Sequence, residues 1–382
     1  MTDMFKKVLI ANRGEIALRI VRACKELEAK TVAVYSEADR ESLHAQFADE
    51  SYCIGSGQPA QSYLNINKII EAAKTSRAEA IHPGYGFLAQ IPAFAEACES
   101  NGVEFIGPSN AVLKKMGNKL KARKTMARAN VPIIPGSMRA VKNEREIIRV
   151  AEDLGYPVLI KAVYGGGGRG MRVVNHQSEV HQAMELVQLE AEASFGNSEV
   201  YVEKKLADPR HIEFQILADK RGNVIHLGER ECSVQRKYQK LIEETPSPMM
   251  TQKLRRVMGE TAIRAAKAVN YTNAGTVEFL VDKAGNFYFL EMNTRLQVEH
   301  LITEMVTGID IVKQQIRIAA GEKLSYKQDE ISMRGHAINC RINSEDPYKD
   351  FTPCPGTITI YRAPGGPGVR VDSALYAGYN IP

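Results

Sequence analysis

A chain of 382 residues with 44% hydrophobic and 25% charged side chains has material for two or three domains with substantial cores, which excludes a disordered or fibrous class. Its 50 basic and 45 acidic residues leave a formal charge of +5, too small an excess to point to nucleic acid and compatible with anionic substrates. No apolar run reaches membrane-spanning length and the N-terminus lacks a signal-peptide core, while Cys24, Cys53, Cys98, Cys232, Cys340 and Cys354 form no CxxC pair, so a cytoplasmic protein with reduced thiols is expected.

The first unit alternates strand and helix. "KKVLIAN", "KTVAVYS", "AEAIHPG" and "VEFIGP" read as strands, and "GEIALRIVRACKEL", "YLNINKIIEAAKTS" and "IPAFAEACESNG" as helices between them. Strands separated by helices imply a parallel, doubly wound sheet. The first strand–helix turn, "ANRGE", lacks the GxGxxG pattern, so dinucleotide binding gains little support. "SNAVLKKMGNKLKARKTMARAN" reads as a helical stretch leading to "VPIIPGS" and a second unit. There "EREIIRVAEDLGYP" and "SEVHQAMELVQLEAEASF" are helical, and "VLIKA", "MRVV", "EVYVEKKL" and "HIEFQILAD" are strands. More strands follow from Val224, then the helix "QKLRRVMGETAIRAAKAV", a hairpin and the helix "EHLITEMVTGIDIVKQQIRIAA". "GHAINCRINSE", "GTITIYRAPGG" and "GVRVDS" suggest a third, β-rich unit. The expected domains are 1–115, 116–325 with a glycine-rich lid at about 135–204, and 326–382.

The segment "EMNTRLQVEH" carries the sharpest chemical signal. Read as a strand, it puts Glu291, Asn293, Arg295, Gln297 and Glu299 on one face. A two-residue turn at Ala284-Gly285 would set Glu278 opposite Glu291 and Thr276 opposite Asn293. Facing carboxylates repel unless a cation lies between them, and hard oxygen ligands suit Mg²⁺. An exposed edge strand that happens to alternate is the plainer alternative.

"KAVYGGGGRGM" places Lys161 at a strand end before Gly165, Gly166, Gly167 and Gly168, a phosphate-covering hairpin tip rather than a Walker A loop. A simple hinge would look similar. "VEKKL" offers Glu203 and backbone groups to an adenine, or is a solvated strand end. "CSVQRKYQK" is a basic loop or an anion-binding wall, and Cys232 reads as buried filler rather than a nucleophile. His211 could reach a ribose, although a lone histidine is usually structural.

"ANRGEIALRI", "IHPGYGFL", "GGGGRGM", "HIEFQ", "ERECSVQR", "EMNTRLQVEH" and "CRINSEDP" together resemble the biotin carboxylases, ATP-grasp enzymes of acetyl-CoA, pyruvate and propionyl-CoA carboxylases. The resemblance runs from Lys6 to the last residue, and "NTRLQVEH" is highly specific to that family. It implies an ATP-grasp central domain and a β-rich C-terminal domain. The implied reaction is ATP- and bicarbonate-dependent carboxylation of biotin through carboxyphosphate. It further implies that Glu278, Glu291 and Asn293 hold Mg²⁺ or Mn²⁺, and that Arg295, Gln297 and the Val298 backbone hold bicarbonate. Glu299 would be the general base, and Arg341 would steady the ureido oxygen of biotin. Lys119, Lys161, Gly165 to Gly168 and His211 would bind ATP, with Glu203, Lys204 and Leu206 around adenine. Gln235 and Lys240 would complete the pocket.

The chain departs from the family pattern at Gln90 and Ile91, where "SEN" is usual, at Tyr164 and at Tyr238. It stops at "YAGYNIP", where relatives continue, so the C-terminal domain is expected to be incomplete. No "MKM" occurs, so biotin is expected on a carrier protein, and the second expected partner is a carboxyltransferase subunit. A homodimer formed around Arg19, Arg22 and Glu26 is expected, and neither nucleic acid nor membrane. Two other readings stand beside this one: a ligase joining a carboxylate to an amine, and a catalytically incomplete nucleotide-binding partner of a carboxylase.

Overall fold

The computed structural model describes residues 4–165 and 170–382. The N-terminal unit holds a five-stranded parallel sheet of β1 (Lys7–Ile10), β2 (Lys30–Tyr35), β3 (Glu50–Cys53), β4 (Ala80–His82) and β5 (Glu104–Phe105), in the order β3-β2-β1-β4-β5. Strand β1 shows why both faces must be covered. Val8 and Ile10 pack with the helix Gly14–Glu26, whereas Leu9 packs on the opposite side with the helices Ile66–Ser76 and Pro92–Ser100. Strand β3, whose exposure alternates along the sheet edge, is not among the strands expected from the sequence.

Two stretches expected as continuous helices are each split. Asn118 accepts from the Lys121 amide at 2.8 Å and starts a new helix, Lys119–Arg128, after Asn110–Met116. Gly308, at φ +71°, ends His300–Thr307, and Asp310 caps Ile311–Ala319.

The stretch expected as a lid forms a small unit of its own. Strands β6 (Val158–Ala162), β7 (Met171–Val174) and β8 (Val200–Lys204) form an antiparallel sheet in the order β7-β6-β8, under the helices Glu144–Leu154 and Val180–Phe195. Ile147, Ala151, Ile160, Val187 and Val202 belong to a core separate from the rest. By contrast, one core joins the N-terminal sheet to the central domain through Leu217, Leu296, Val312 and Ile316.

The central domain is a six-stranded antiparallel sheet built from β9 (Arg210–Ala218), β10 (Val224–Arg236), β11 (Gln239–Thr245), β12 (Asn273–Val281), β13 (Phe287–Asn293) and β14 (Ala337–Cys340). Its order is β13-β12-β9-β10-β11-β14. Beyond β14 the expected strands are mostly absent. Two-residue pairs are all that form, Glu345–Asp346 with Thr352–Pro353 and Gly356–Thr357 with Asn380–Ile381, and "GVRVDS" forms no strand among the described residues. Neither short pair joins a larger sheet, and Ile342, Ile360 and Tyr348 are exposed.

Candidate active site

One face of the central sheet is polar across four strands. Glu291 of β13 lies opposite Glu278 of β12, Glu278 opposite Glu213 of β9, and Glu213 opposite Arg230 of β10. Thr276 faces Asn293, in line with the expected register. The turn differs from the expectation. Val281 pairs with Phe287, so the loop is Asp282–Asn286, and a bulge between Glu278 and Phe279 restores the register. The Asp282 carboxylate accepts from the amides of Ala284 and Asn286, both at 2.9 Å, which explains the wider turn.

The expected long strand is a second correction. Strand β13 stops at Asn293, and 294–299 is a loop before the helix His300–Thr307. The side chains of Arg295, Gln297 and Glu299 reach the site by the path of that loop. Arg295 donates to Asn293 Oδ1 at 3.0 Å and Gln297 to Glu278 Oε1 at 2.8 Å. Val298 is half-buried in the turn between them.

Lys240 is the hub. Its ammonium donates to Glu213 at 2.5 Å, Glu299 at 2.7 Å and Glu278 at 2.8 Å. Burial alone would push this lysine down, but the three carboxylates hold it well above its ordinary value. Burial likewise opposes ionisation of Glu299 and Glu278. Lys240 and Arg341 hold Glu299 below the usual carboxylate range, and Lys240 and His211 do so for Glu278. Glu213 is pushed up, by burial first. Arg341 donates to Glu299 Oε2 at 2.9 Å and to Glu243 at 2.7 Å through Nε. Burial pushes the Cys232 thiol far up, which agrees with a filler rather than a nucleophile.

Three residues central to this network escape the sequence reading. Arg230 is 0% exposed and donates to Glu213, Gln215, Thr303, Thr276 and Gln297, fixing the polar face from below. Glu213 and Glu243 are also fully buried. The available signal is the alternation of His211, Glu213 and Gln215 in "HIEFQ".

Toward the lid, Lys161 donates to Glu203 at 2.8 Å, and Arg123 to the same carboxylate at 2.5 Å. Glu203, expected beside adenine, therefore holds two cations. Lys204 points elsewhere, its ammonium bonding the Gly155 and Tyr156 carbonyls, so only its backbone is left for a nucleotide. Leu206 is half-buried at the end of that strand. Burial and then the nearby Lys161 charge push Lys119 down to about 8. Gln235 bonds His211 at 2.9 Å, and His211 Nε2 lies 2.9 Å from Glu278 Oε2. Gly165 is described at φ +116°, while Gly166, Gly167 and Gly168 lie outside the described residues.

The carboxylates suit a divalent cation. Glu278 and Glu291 face one another in register, and the Glu291 carboxylate makes no hydrogen bond or ion pair to a described residue. Glu278 and Asn293 fit less freely, since Glu278 Oε1 already accepts from Lys240, Asn293 and Gln297, each at 2.8 Å, and the Asn293 oxygen accepts from Arg295 at 3.0 Å.

Three family profiles cover this chain: "Biotin carboxylase, N-terminal domain" over 4–113, "Carbamoyl-phosphate synthase L chain, ATP binding domain" over 118–327, and "Biotin carboxylase C-terminal domain" over 339–382. The chain belongs to the biotin carboxylase family. Among biotin carboxylases and their relatives, it is 58% identical over 379 residues to a pyruvate carboxylase subunit of Methanothermobacter thermautotrophicus, covering 99% of this chain and 77% of that one. It is 58% identical to the biotin carboxylase of Nostoc sp., covering 99% and 85%. Among solved structures, a Campylobacter jejuni biotin carboxylase in a βγ-ATP complex matches with TM-score 0.97 and 50% identity, covering 99% of this chain and 84% of that one. The biotin carboxylase domain dimer of Hydrogenobacter thermophilus 2-oxoglutarate carboxylase, with MgADP, ADP and bicarbonate, matches with TM-score 0.97 and 52% identity, covering 100% and 84%. No helix among the described residues is long and apolar enough to cross a membrane.

Proposed function

We propose that the Lys240 cluster carboxylates biotin, presented on a carrier protein, using ATP and bicarbonate through carboxyphosphate. The observation that carries the assignment of roles is Glu299. It is 2% exposed and kept unprotonated between Lys240 and Arg341, so it enters the reaction as a carboxylate, and its basicity rises as bound anions draw those two cations away. Arg295, Gln297 and the Val298 backbone orient bicarbonate. As its oxygen bonds to the γ-phosphorus and ADP leaves, its proton passes to Glu299. Lys119 and Lys161 neutralise phosphate charge, and the glycine-rich lid keeps water from the mixed anhydride. A Mg²⁺ ion held by Glu278 and Glu291, with Asn293 alongside, supplies charge neutralisation on the ATP phosphates when bound. Carboxyphosphate then splits to CO₂ and phosphate, the phosphate takes the biotin N1 proton, and N1 bonds to CO₂. Arg341 faces the developing charge on the ureido oxygen. His211, Gln235, Glu203, Lys204 and Leu206 complete the nucleotide pocket.

The same reading gives the chain two partners, a biotin carrier protein and a carboxyltransferase subunit, and a homodimer is its working form. Arg22 is exposed on the first helix, whereas Arg19 is tied to Glu304 and Asp310 and Glu26 to Lys313. Of these three, Arg22 is therefore the one left for a second copy. Six free thiols suit a reducing compartment, so we place the protein in the cytoplasm. A nucleotide-binding partner without turnover is disfavoured, because the base, its two cations and the bicarbonate arginine are all present.

The test is phosphate release from Mg-ATP with and without bicarbonate and free biotin. Bicarbonate-dependent, biotin-stimulated release is expected, and Glu299→Gln should reduce it by about 10² to 10⁴ while leaving nucleotide binding intact. Release that ignores bicarbonate, or that survives the substitution, would overturn the assignment.

A further inference from the structure

Arg295 differs from the cations of the Lys240 cluster. Lys240, Arg230 and Arg341 are each paired with at least one carboxylate. Arg295 donates to three neutral oxygens: Gln90 Oε1 through Nε at 2.8 Å, the Leu296 carbonyl at 2.9 Å and Asn293 Oδ1 at 3.0 Å. Among the described residues no carboxylate oxygen lies within ion-pair distance of it. Its guanidinium is thus oriented on all sides and neutralised on none. Gln90 is the acceptor that comes from outside the central domain, on the loop after "HPGYGFL", and its own amide nitrogen donates to Thr294 Oγ1 at 3.2 Å. Both ends of the side chain are used, so its orientation is fixed.

We propose that Gln90 is a positioning residue that sets the affinity for bicarbonate. It aims Arg295 with a neutral acceptor, so the whole positive charge remains available to the anion. A carboxylate at the same position would hold the arginine in the same place and cancel much of that charge. The side chain touches neither bicarbonate nor ATP in this scheme; it acts through Arg295. The inference rests on the bicarbonate role given above to Arg295.

The experiment compares wild type, Gln90→Glu and Gln90→Met in the full chain, measuring kcat and the KM values for bicarbonate and ATP. Wild-type turnover must first depend on bicarbonate; if it does not, the activity reading fails and this proposal falls with it. Gln90→Glu is expected to raise the bicarbonate KM by roughly tenfold, the effect of one charge about 6 Å from the anion at an effective dielectric of about 40, with the ATP KM unchanged. Gln90→Met, neutral but unable to accept, should lower kcat through a loosened Arg295 and raise the bicarbonate KM less than Gln90→Glu does. A bicarbonate KM within twofold of wild type in Gln90→Glu would overturn the proposal. So would a parallel rise in both KM values with a lowered Tm, which marks damage to the loop rather than a change of charge.

Discussion

Replacing Lys240 by Met tests whether one ammonium holds the polar face together. The substitution keeps most of the aliphatic stem and removes a charge that contacts Glu213, Glu278 and Glu299, all at most 3% exposed. Removing one partner of a buried ion pair costs about 3 to 5 kcal/mol, because the other charge stays desolvated. At about 2.1 cal/mol/K per residue of unfolding entropy, a loss of about 4 kcal/mol lowers Tm by about 5 °C for a chain unfolding as one unit. The pH dependence is more diagnostic. In wild type Glu278 and Glu299 have depressed values, so their stabilisation is full above the unfolded value of about 4.3 and fades as pH falls through the lower folded values. Without Lys240, desolvation raises these carboxyls, and the variant suffers most at high pH and recovers as pH falls toward the raised values. Calorimetry at pH 8 and pH 5.5 should therefore show a deficit that shrinks at the lower pH. A deficit that is equal at both, or under about 1 kcal/mol, would refute the idea that Lys240 is the common counter-charge.

Two further predictions concern neighbouring groups. Glu243→Gln removes the carboxylate that receives Arg341 Nε and should lower kcat about tenfold and raise the KM for free biotin, with the ATP KM unchanged in steady-state assays. Lys119, pushed down to about 8, is half-protonated near that pH without nucleotide, and phosphates favour its ammonium form. ATP binding at pH 8 should thus take up about half a proton, read by titration calorimetry in two buffers of different ionisation enthalpy, and affinity should fall as pH rises past 8. Lys119→Arg should abolish that uptake; if the uptake persists, another group is responsible.

Much of the site is legible in the sequence because strand alternation carries chemistry directly. The pairing of Glu278 with Glu291 and of Thr276 with Asn293 follows from period-two spacing. The same rule misleads beyond Asn293, where three side chains that alternate in the sequence converge through a loop instead. Arg230 is invisible for a different reason: its partners come from β9, β12 and the segment 297–303, and no local pattern announces contacts so distant. Gln90 stands out as a departure, but its bond to Arg295 crosses 205 positions and needs the fold. Helices are legible where apolar spacing is regular and read too long where Asn118 and Gly308 interrupt them. The segment after β14 holds strand-like residues without partner strands, and spacing alone cannot supply a partner.

The bulge beside Glu278 has a consequence for how this hairpin tolerates change. The five-residue turn and the single unpaired Leu290 offset each other, so the spacing of the facing carboxylates is decoupled from the manner in which the tip closes. An alteration around Lys283, an exposed residue, can be absorbed by ironing out or recreating that irregularity. The tip is therefore a natural port for a label or an inserted segment on the hairpin that carries the facing carboxylates.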